Sequence, residues 1–346
     1  MKRLIAAFMA AVLLVCAGCG ISQTTKEQEQ TRTFVDSCGR EVEVPATITK
    51  VAVSGPAAQI VLFALAPELL VGISSQWSEA ALEYIPETYV SLPVLGQLYG
   101  GKGDLNPEAL LSSGAQIVID IGETKDGIDQ DMDQLQQQTG IPFVHISMTL
   151  SELPKTYEML GTLLERQEAA AELSTYCGRV YDRAVELSGS VEKVKCLYLL
   201  GDTGCNVIAQ GSYHSEVLDL LTDNQAVVDS PSSKGTGNEV SMEQILLWDP
   251  EYILFAPDSI YDSVGDDPLW QQLTAIRTGQ YSRVPEGPYN WMGFPPSAQR
   301  LLGMLWMGWV LYPDDCGYDL YEEVRQYFEL FYHVDLSQEQ FDELIG

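Results

Sequence analysis

The chain has 346 residues and a formal net charge of −30, so it is long enough for two domains with separate hydrophobic cores. Such an acidic surface repels nucleic acid and disfavours adsorption onto anionic lipid headgroups. The composition therefore argues against a DNA- or RNA-binding role. It also requires any attachment to a membrane to come from a separate anchor.

Residues 1–19 have the features of an export signal. Lys2 and Arg3 form a positive start, an apolar stretch over residues 5–15 follows, and two small residues precede Cys19. The pattern resembles a bacterial lipoprotein signal, in which Cys19 is lipidated and becomes the mature N-terminus. An ordinary secretory signal, cleaved nearby without a lipid, is the alternative. Both interpretations predict a protein outside the cytoplasm, and the first anchors it to the cell membrane.

The next segment, residues 20–33, is polar and lacks apolar periodicity. It predicts a flexible tether between the anchor and a folded body. Later in the chain the densest apolar run, Leu301 to Leu311, is too short to span a bilayer. A lipid on Cys19 is therefore the membrane attachment that we expect.

Residues 34–148 predict a first α/β lobe. Apolar and polar residues alternate between Thr33 and Pro45 on both sides of a turn, which indicates a β-hairpin. Short apolar runs then alternate with helical segments, as in βαβ units. One helix is signalled by Asn106, a good N-cap, followed by Pro107 at the first helical position.

Residues 149–190 predict the connection between two lobes. Apolar residues keep helical spacing, and no Gly or Pro occurs between Thr162 and Cys177. We expect one helix of about 35 residues, near 50 Å long at about 1.5 Å per residue. A shift in the apolar phase near Gln167 leaves open a second interpretation, two helices with a kink at 167–170.

Residues 191–346 predict a second α/β lobe, because strand-like runs at Lys195–Leu200 and Tyr252–Phe255 alternate with helical segments. Five cysteines follow the leader, and no CxxC pair occurs among them, which argues against a disulfide framework or a thiolate zinc site. Cys196 and Cys205 are close enough in sequence to form a disulfide, although single buried thiols are the interpretation that we favour.

The two lobes share one sequence phrase. Asn106 and Ser241 each stand two positions before a glutamate, Glu108 or Glu243, and each phrase continues with a short apolar helix, a turn and a buried strand. A glutamate in the first turn of a helix can complete a capping box and interacts favourably with the helix dipole. Capping alone could therefore explain both glutamates.

With this repeat the chain resembles a known family, the class III substrate-binding lipoproteins of ABC importers for iron–siderophore, haem and cobalamin. The resemblance covers nearly the whole mature chain. It rests on the lipoprotein start, the hairpin, the long connecting segment, the repeated phrase and several later motifs, namely Asp267–Trp270, Val284–Pro285, Pro295–Gly303 with Trp306, Val334–Leu336 and Phe341.

The resemblance implies an α/β fold of two Rossmann-like lobes joined by a single long α-helix, with the ligand in the cleft between them. It implies a monomer without an intrinsic cofactor or metal, which delivers a metal chelate to a membrane permease and its ATPase. In this family one glutamate on each lobe docks onto arginines of the permease, and Glu108 and Glu243 match those positions. Two carboxylates that meet two guanidiniums would fix the orientation of docking.

Four loops can border such a cleft, because ligands of α/β lobes bind beyond the carboxyl ends of the strands. They are residues 54–59, 96–101, 211–214 and 289–292, which offer aromatic rings and few charges. The candidate ligand-binding residues in or near them are Tyr99, Tyr213, His214, Asn290, Trp291 and Arg300.

Each candidate has a chemical reason. Tyr99, Tyr213 and Trp291 could stack on a flat or bulky chelate, and Arg300 could pair with an anionic one or form a structural ion pair. Asn290 lies beside Trp291 in a Pro/Gly-rich loop, where its amide could orient a ligand. His214 could contact a ligand or a metal, although a lone histidine is more often structural.

Other functions remain as alternatives. The chain has no Gly-x-Ser-x-Gly elbow, HExxH motif, P-loop or dinucleotide fingerprint, so an enzyme is disfavoured. A binding protein for a nickel or other metal chelate fits the same cleft. A surface lipoprotein that scavenges a ligand without its own permease is a third possibility. Iron–siderophore is the cargo that we favour, with haem or cobalamin as alternatives.

Overall fold

The fold is described from a computed structural model that covers residues 30–99 and 104–346. The predicted signal, the lipidation of Cys19 and most of the tether lie outside these residues, as does part of the glycine-rich loop before Glu108. Those predictions therefore stay predictions. None of the helices in the covered part of the chain is both long and apolar enough to cross a bilayer.

The strands of the described residues are short and form three sheets. In chain order they are β1 Thr31–Val35, β2 Glu41–Pro45, β3 Val51–Val53, β4 Ile117–Gly122, β5 Phe143–Ser147, β6 Lys195–Leu200, β7 Asn206–Val207, β8 Asp223–Asn224, β9 Asn238–Glu239, β10 Tyr252–Phe255 and β11 Tyr281–Arg283.

The α-helices surround these sheets. In chain order they are α1 Pro56–Leu65, α2 Glu87–Val90, α3 Pro107–Ser113, α4 Ile128–Thr139, α5 Leu153–Leu164, α6 Gln167–Ser190, α7 Glu216–Leu221, α8 Met242–Trp248, α9 Tyr261–Val264, α10 Thr274–Thr278, α11 Arg300–Leu311, α12 Leu320–Tyr332 and α13 Gln338–Ile345. Four 3₁₀ turns lie between them, at Pro67–Leu69, Glu79–Ala81, Tyr213–Ser215 and Trp270–Gln272.

The first lobe contains the predicted hairpin and a parallel sheet. Strands β1 and β2 pair antiparallel, and β3, β4 and β5 pair parallel in that order. Every residue of β3 and the first five of β4 are buried, as expected for parallel strands covered on both faces. Residues 70–74 form isolated bridges, in which Leu70 pairs with Val51 and Ile73 pairs with Val94.

The second lobe has a mixed sheet. Strands β11, β10, β6 and β8 are parallel, and the short strands β7 and β9 extend the other edge antiparallel. Both lobes are therefore α/β units with parallel strands at their centres, which confirms the predicted fold class. The five cysteines of the described residues are free thiols, including Cys196 and Cys205.

The expectation of one continuous helix of about 35 residues is wrong, because two helices occupy this segment. Helix α5 ends at Leu164, where Glu165 adopts a left-handed backbone (φ 56°) and its N–H bonds to the Gly161 carbonyl. Helix α6 then runs back along α5, since Ser174 reaches Glu158 (3.3 Å) and a Cβ on Gly161 would lie 2.4 Å from Ala170 Cβ. The pair is an antiparallel hairpin that needs a glycine at its closest approach.

Only α6 therefore connects the lobes. Its 24 residues correspond to about 36 Å at about 1.5 Å per residue. Arg166 stabilises the break before it, because its guanidinium bonds to Glu68 (2.9 Å) and to the Leu164 and Glu165 carbonyls (3.3 Å each). The shift in the apolar phase near Gln167 indicated this turn. The second interpretation, two helices with a kink at 167–170, placed the break slightly too late, because it lies at residues 165–166.

The C-terminal helices return to the first lobe. Helix α12 packs on α1, where the rings of Phe63 and Tyr332 lie 6.2 Å apart. It also packs on the segment after the 3₁₀ turn Glu79–Ala81, where the rings of Tyr84 and Phe328 lie 4.9 Å apart. The largest hydrophobic cluster therefore includes residues of both lobes and of the connection. The end of the segment 191–346 thus contributes to the core of the first lobe.

Candidate functional site

A large cleft lies between the lobes, with a volume of about 1130 Å³. Its wall in the first lobe includes Ser54, which follows β3, and Asp120, near the end of β4. Its wall in the second lobe includes Leu200 at the end of β6 and Ala256 after β10. The cleft therefore opens at the carboxyl ends of the parallel strands in both lobes, where α/β folds bind ligands.

The structure brings parts of all four predicted loops to this cleft. The first two contribute Ser54 to Ala57 and the pair Gln97 and Tyr99, while the other two contribute Tyr213 with His214 and Asn290. Helix α1 begins at this wall, with Pro56 at a position that needs no backbone N–H donor. Four of the six candidate ligand-binding residues thus line one cavity.

The two tyrosines face the cleft from opposite lobes. Tyr99 donates its hydroxyl proton to Asp131, and Lys125 Nζ lies 4.7 Å from the centre of its ring. Tyr213 is partly buried and donates to the carbonyl of Met148 beyond β5. Burial raises the pKa of Tyr213 to about 12, so its phenol stays protonated at neutral pH.

His214 and Asn290 differ in how their polar atoms are used. The His214 side chain is only 7% exposed and stacks on Phe294 with ring centres 5.2 Å apart, but its Nδ1 has no hydrogen-bond partner among the described residues. Burial and the positive charge of Arg300 lower the pKa of His214, so the ring is neutral at neutral pH. Asn290 instead donates to Tyr198 and accepts from the Met292 N–H.

Trp291 and Arg300 do not reach the cleft. Trp291 is fully buried, and its indole N–H donates to the Gly287 carbonyl at 2.9 Å. Arg300 is also fully buried, donates to the carboxylate of Glu216, and lies 4.8 Å from the centre of the Tyr213 ring. The expectations of stacking by Trp291 and of anion binding by Arg300 are therefore wrong, and Arg300 forms a structural ion pair instead.

A buried polar network underlies the wall of the first lobe. Asp120 accepts a hydrogen bond from the Ser54 hydroxyl, and its other oxygen lies 2.7 Å from His145 Nδ1. His145 Nε2 in turn lies 3.0 Å from the Thr124 hydroxyl. Asp120 is not among the predicted site residues, although its place near the end of a buried strand was a usable signal. The network fixes the Asp120 carboxylate at the cleft.

The cleft carries more charge than the sequence suggests. Exposed Lys125 and Lys234 approach it from the first and second lobes, and four carboxylates line it, those of Asp120, Glu123, Asp258 and Glu286. Partial burial and the negative charge of Asp258 raise the pKa of Glu286. Glu123 follows β4 directly, and Lys125, Asp258 and Glu286 each lie three positions after the end of a strand, which was the available signal for them. The site therefore combines aromatic, cationic and anionic groups.

No cluster of three or more His, Cys, Asp or Glu side chains that could hold a metal ion occurs in residues 30–99 and 104–346.

The two glutamates of the repeated phrase occupy equivalent places. Glu108 and Glu243 lie exposed in the first turns of α3 and α8, and each helix leads into a central parallel strand. As predicted, Asn106 and Ser241 cap these helices through their side chains. Hydrogen bonds from its own backbone N–H and from Ser241 lower the pKa of Glu243.

Comparisons with known proteins agree on one class. The family model for periplasmic binding proteins matches residues 100–286, more than half of the chain. No curated protein sequence matches. Among solved structures, a solute-binding protein of an ABC transporter from Sulfurospirillum deleyianum is 26% identical, with a TM-score of 0.81 over 90% of this chain and 98% of its own.

Two further structures share the fold. A periplasmic solute-binding protein from Veillonella parvula is 24% identical, with a TM-score of 0.74 over 91% of this chain and 97% of its own. A molybdate periplasmic binding protein from Haemophilus influenzae, solved with molybdate bound, is 20% identical, with a TM-score of 0.71 over 88% of this chain and 99% of its own.

Proposed function

Because this chain belongs to the periplasmic binding proteins of ABC importers, we propose that it captures a metal chelate between its lobes and delivers it to a membrane permease. An iron–siderophore is the cargo class that we favour, and haem, a cobalamin or a nickel chelate would suit the same kind of site. The observation that carries the proposal is the cleft of about 1130 Å³ lined by both lobes. Proteins of this family serve transport rather than catalysis.

The size of the cleft supports a molecular cargo. Small-molecule sites commonly measure about 300–1,000 Å³, whereas one water takes about 30 Å³ of liquid. A bare ion would leave most of this space to water. The described residues also offer no cluster of metal ligands, so a cargo metal would have to arrive with its own ligands.

The lining supports a chelate with polar groups around an apolar or aromatic body. Tyr99, Tyr213 and Phe294 offer ring surfaces, and Lys125 and Lys234 offer positive charges from opposite lobes. Lysines that converge on one cleft in so acidic a protein favour a ligand with anionic groups.

The test starts from protein purified from its own host. Native mass spectrometry and an absorbance spectrum would reveal a porphyrin or corrin band, or the band of a ferric catecholate. Titration of the ligand-free protein with ferric catecholate, ferric hydroxamate, haem, cobalamin, a nickel chelate and molybdate would then rank the classes. Tight binding of molybdate alone would contradict a chelate cargo.

Variants locate the site. We expect Tyr99→Ala, and separately the double change Lys125→Gln with Lys234→Gln, to weaken binding of the best ligand by roughly tenfold. The matched controls are Tyr181→Ala on α6 and Lys195→Gln at the start of β6, which do not line the cleft. Equal losses in the controls would mean that the ligand binds elsewhere.

We also propose that Glu108 and Glu243 dock onto arginines of the permease. Other side chains cap both helices. The Asn106 side chain accepts hydrogen bonds from the backbone N–H groups of Glu108 and Ala109 at 3.0 Å each. The Ser241 hydroxyl accepts one from the backbone N–H of Gln244 at 3.2 Å. Neither glutamate takes part in a salt bridge within the described chain. Their exposed carboxylates are thus available to an outside guanidinium.

Charge reversal tests this docking. Glu108→Lys with Glu243→Lys should abolish uptake of the cargo while its affinity in solution stays unchanged. Loss of ligand binding in the same variant would contradict the assignment. An adjacent permease and ATPase in the genome would favour import, and an isolated locus would favour a scavenging lipoprotein.

The anchor completes the proposal. We propose that Cys19 is lipidated and holds a monomer outside the cytoplasm, on a tether that is shorter than the predicted residues 20–33, because residues 31–33 belong to β1. Growth with a radiolabelled or alkyne-tagged fatty acid should label the wild-type protein but not Cys19→Ala, which should be released from membranes. A labelled Cys19→Ala variant would contradict this site.

A further inference from the structure

Two leucines on the proposed docking helices are unusually exposed. Leu111 on α3 is 53% exposed, and Leu247 on α8 is 78% exposed, more than any other large apolar side chain among the described residues. Neither belongs to a hydrophobic cluster of the protein. Single exposed apolar residues are common on protein surfaces, so their exposure alone carries no function.

Their position relative to the glutamates is more informative. Leu111 lies three residues after Glu108, and Leu247 lies four residues after Glu243. Residues three or four apart on a helix lie on the same face, about 5–6 Å apart at their Cβ atoms. Each lobe therefore presents a carboxylate and an isobutyl group side by side, one turn apart, on helices that hold the same place in the two lobes.

Other residues of each helix make its contacts with the hydrophobic core, so the two exposed leucines are not needed for that packing. Leu110 and Ile245, at matching positions of the repeated phrase, are fully buried and supply the inward contacts of α3 and α8. Leu111 and Leu247 project on the other side, with the glutamates. Among the other exposed apolar residues, Val35 and Val227 lie outside the repeated phrase.

We propose that Leu111 and Leu247 are the apolar parts of two docking points for the permease, each completed by its neighbouring glutamate. This rests on the proposed function. The partner is a protein surface that offers, twice, a guanidinium beside an apolar pocket, because that pair of features complements a carboxylate beside a leucine. The charges orient the encounter, and burial of the leucines supplies affinity.

Photo-crosslinking of the full chain in its own host tests the inference. A benzoylphenylalanine at Ser112 or at Gln244, next to the two docking points, should form an adduct with an ABC permease subunit, identified by mass spectrometry. Leu111→Ser with Leu247→Ser should lower the yield of this adduct at least about tenfold, since each buried leucine contributes substantially to binding. Leu111→Met with Leu247→Met should keep it, because the side chains stay apolar.

The controls separate the possible failures. Val227→Ser, an equally exposed apolar residue elsewhere, should crosslink like the wild type. If Glu108→Lys with Glu243→Lys abolishes the adduct and the serine variants do not reduce it, the leucine inference falls and the proposed function stands. If only the serine variants reduce it, the leucines stand and the glutamate assignment falls. If no permease subunit is captured, or no variant matters, both fall.

Discussion

Arg300 and Glu216 form an ion pair within the second lobe, in which the arginine side chain is fully buried and that of the glutamate is 24% exposed. The Glu216 carboxylate also accepts a hydrogen bond from the Leu150 N–H at 3.2 Å, at the start of the connection between the lobes. The guanidinium lies against the ring of Tyr213, which lines the cleft. The ion pair therefore packs against Tyr213, and neither Arg300 nor Glu216 itself lines the cleft.

Removal of either partner should be costly. We expect Glu216→Gln to lower the free energy of unfolding by about 3–5 kcal/mol, because the fully buried Arg300 is left without its partner. Arg300→Met should lower it less, because Glu216 is 24% exposed and keeps some contact with water. The double variant should lose clearly less than the sum of the two single losses. Urea denaturation followed by tryptophan fluorescence measures this. Arg325→Ala, which breaks an exposed pair with Glu322, should change stability by less than about 1 kcal/mol.

The helical hairpin makes a prediction about two glycines. Gly161→Ala on α5 should destabilise the protein by roughly 1–3 kcal/mol, although alanine favours helices, because its Cβ would lie 2.4 Å from that of Ala170. Gly189→Ala on α6 is the matched control. Its Cβ would meet no atom within 4 Å, so it should be neutral or stabilising by up to about 1 kcal/mol.

A second variant tests the cause. Ala170→Gly added to Gly161→Ala should restore part of the stability, since it vacates the space that the new methyl group needs. An unchanged stability of Gly161→Ala in thermal and urea denaturation would instead mean that α5 and α6 do not pack as an antiparallel hairpin.

His214 should make stability depend on pH. Its pKa is lowered in the folded state by burial and by Arg300, whereas an unfolded histidine has a pKa of about 6.5. Below about pH 6.5 the His214 side chain takes up a proton in the unfolded chain more readily than in the folded protein. The contribution of neutral His214 to the free energy of unfolding is therefore complete above about pH 6.5, and it is lost as the pH falls through the folded pKa. His214→Gln should therefore lose less stability than the wild type between pH 7.5 and pH 5. Parallel curves of urea midpoint against pH would contradict this.

The contacts between the lobes limit their motion. Tyr213 donates to the Met148 carbonyl, Ser297 donates to the Ala57 carbonyl at 3.2 Å, and α12 packs on α1. For a body of this size the radius of gyration is about 20 Å, and we expect a bound ligand to lower it by less than about 1 Å. Small-angle scattering with and without ligand measures the change. A larger closure would show that these contacts break.

Local sequence patterns predicted the parts of the fold that depend on neighbours in the chain. The caps at Asn106 and Ser241 need only a suitable side chain and the next three residues, and the strand at Lys195–Leu200 needs only an apolar run of the right length. The same patterns indicated four loops that contribute to the cleft, and the loop at residues 54–59 is the simplest case, because it follows the parallel strand β3 and so lies at its carboxyl end.

Other features depend on packing between distant segments. The turn at Glu165 has neither Gly nor Pro, and it forms because Gly161 and Ala170 allow two helices to approach closely. An aromatic residue in a Pro/Gly-rich loop has the same sequence signature whether its ring faces solvent or a core, and Trp291 faces the core. For the same reason the partner of Arg300, which lies 84 positions away at Glu216, is invisible in the sequence.

The amino-acid sequence was thus sufficient for the α/β class, the two lobes, the edges of the cleft and the paired glutamates, since short-range spacing encodes each of them. The three-dimensional arrangement was needed to show that a helical hairpin precedes the connection, that Arg300 and Trp291 are buried, and that Lys125 and Lys234 face one cleft. Burial and charge pairing are sums over contacts made by residues far apart in the chain, and no local pattern records them.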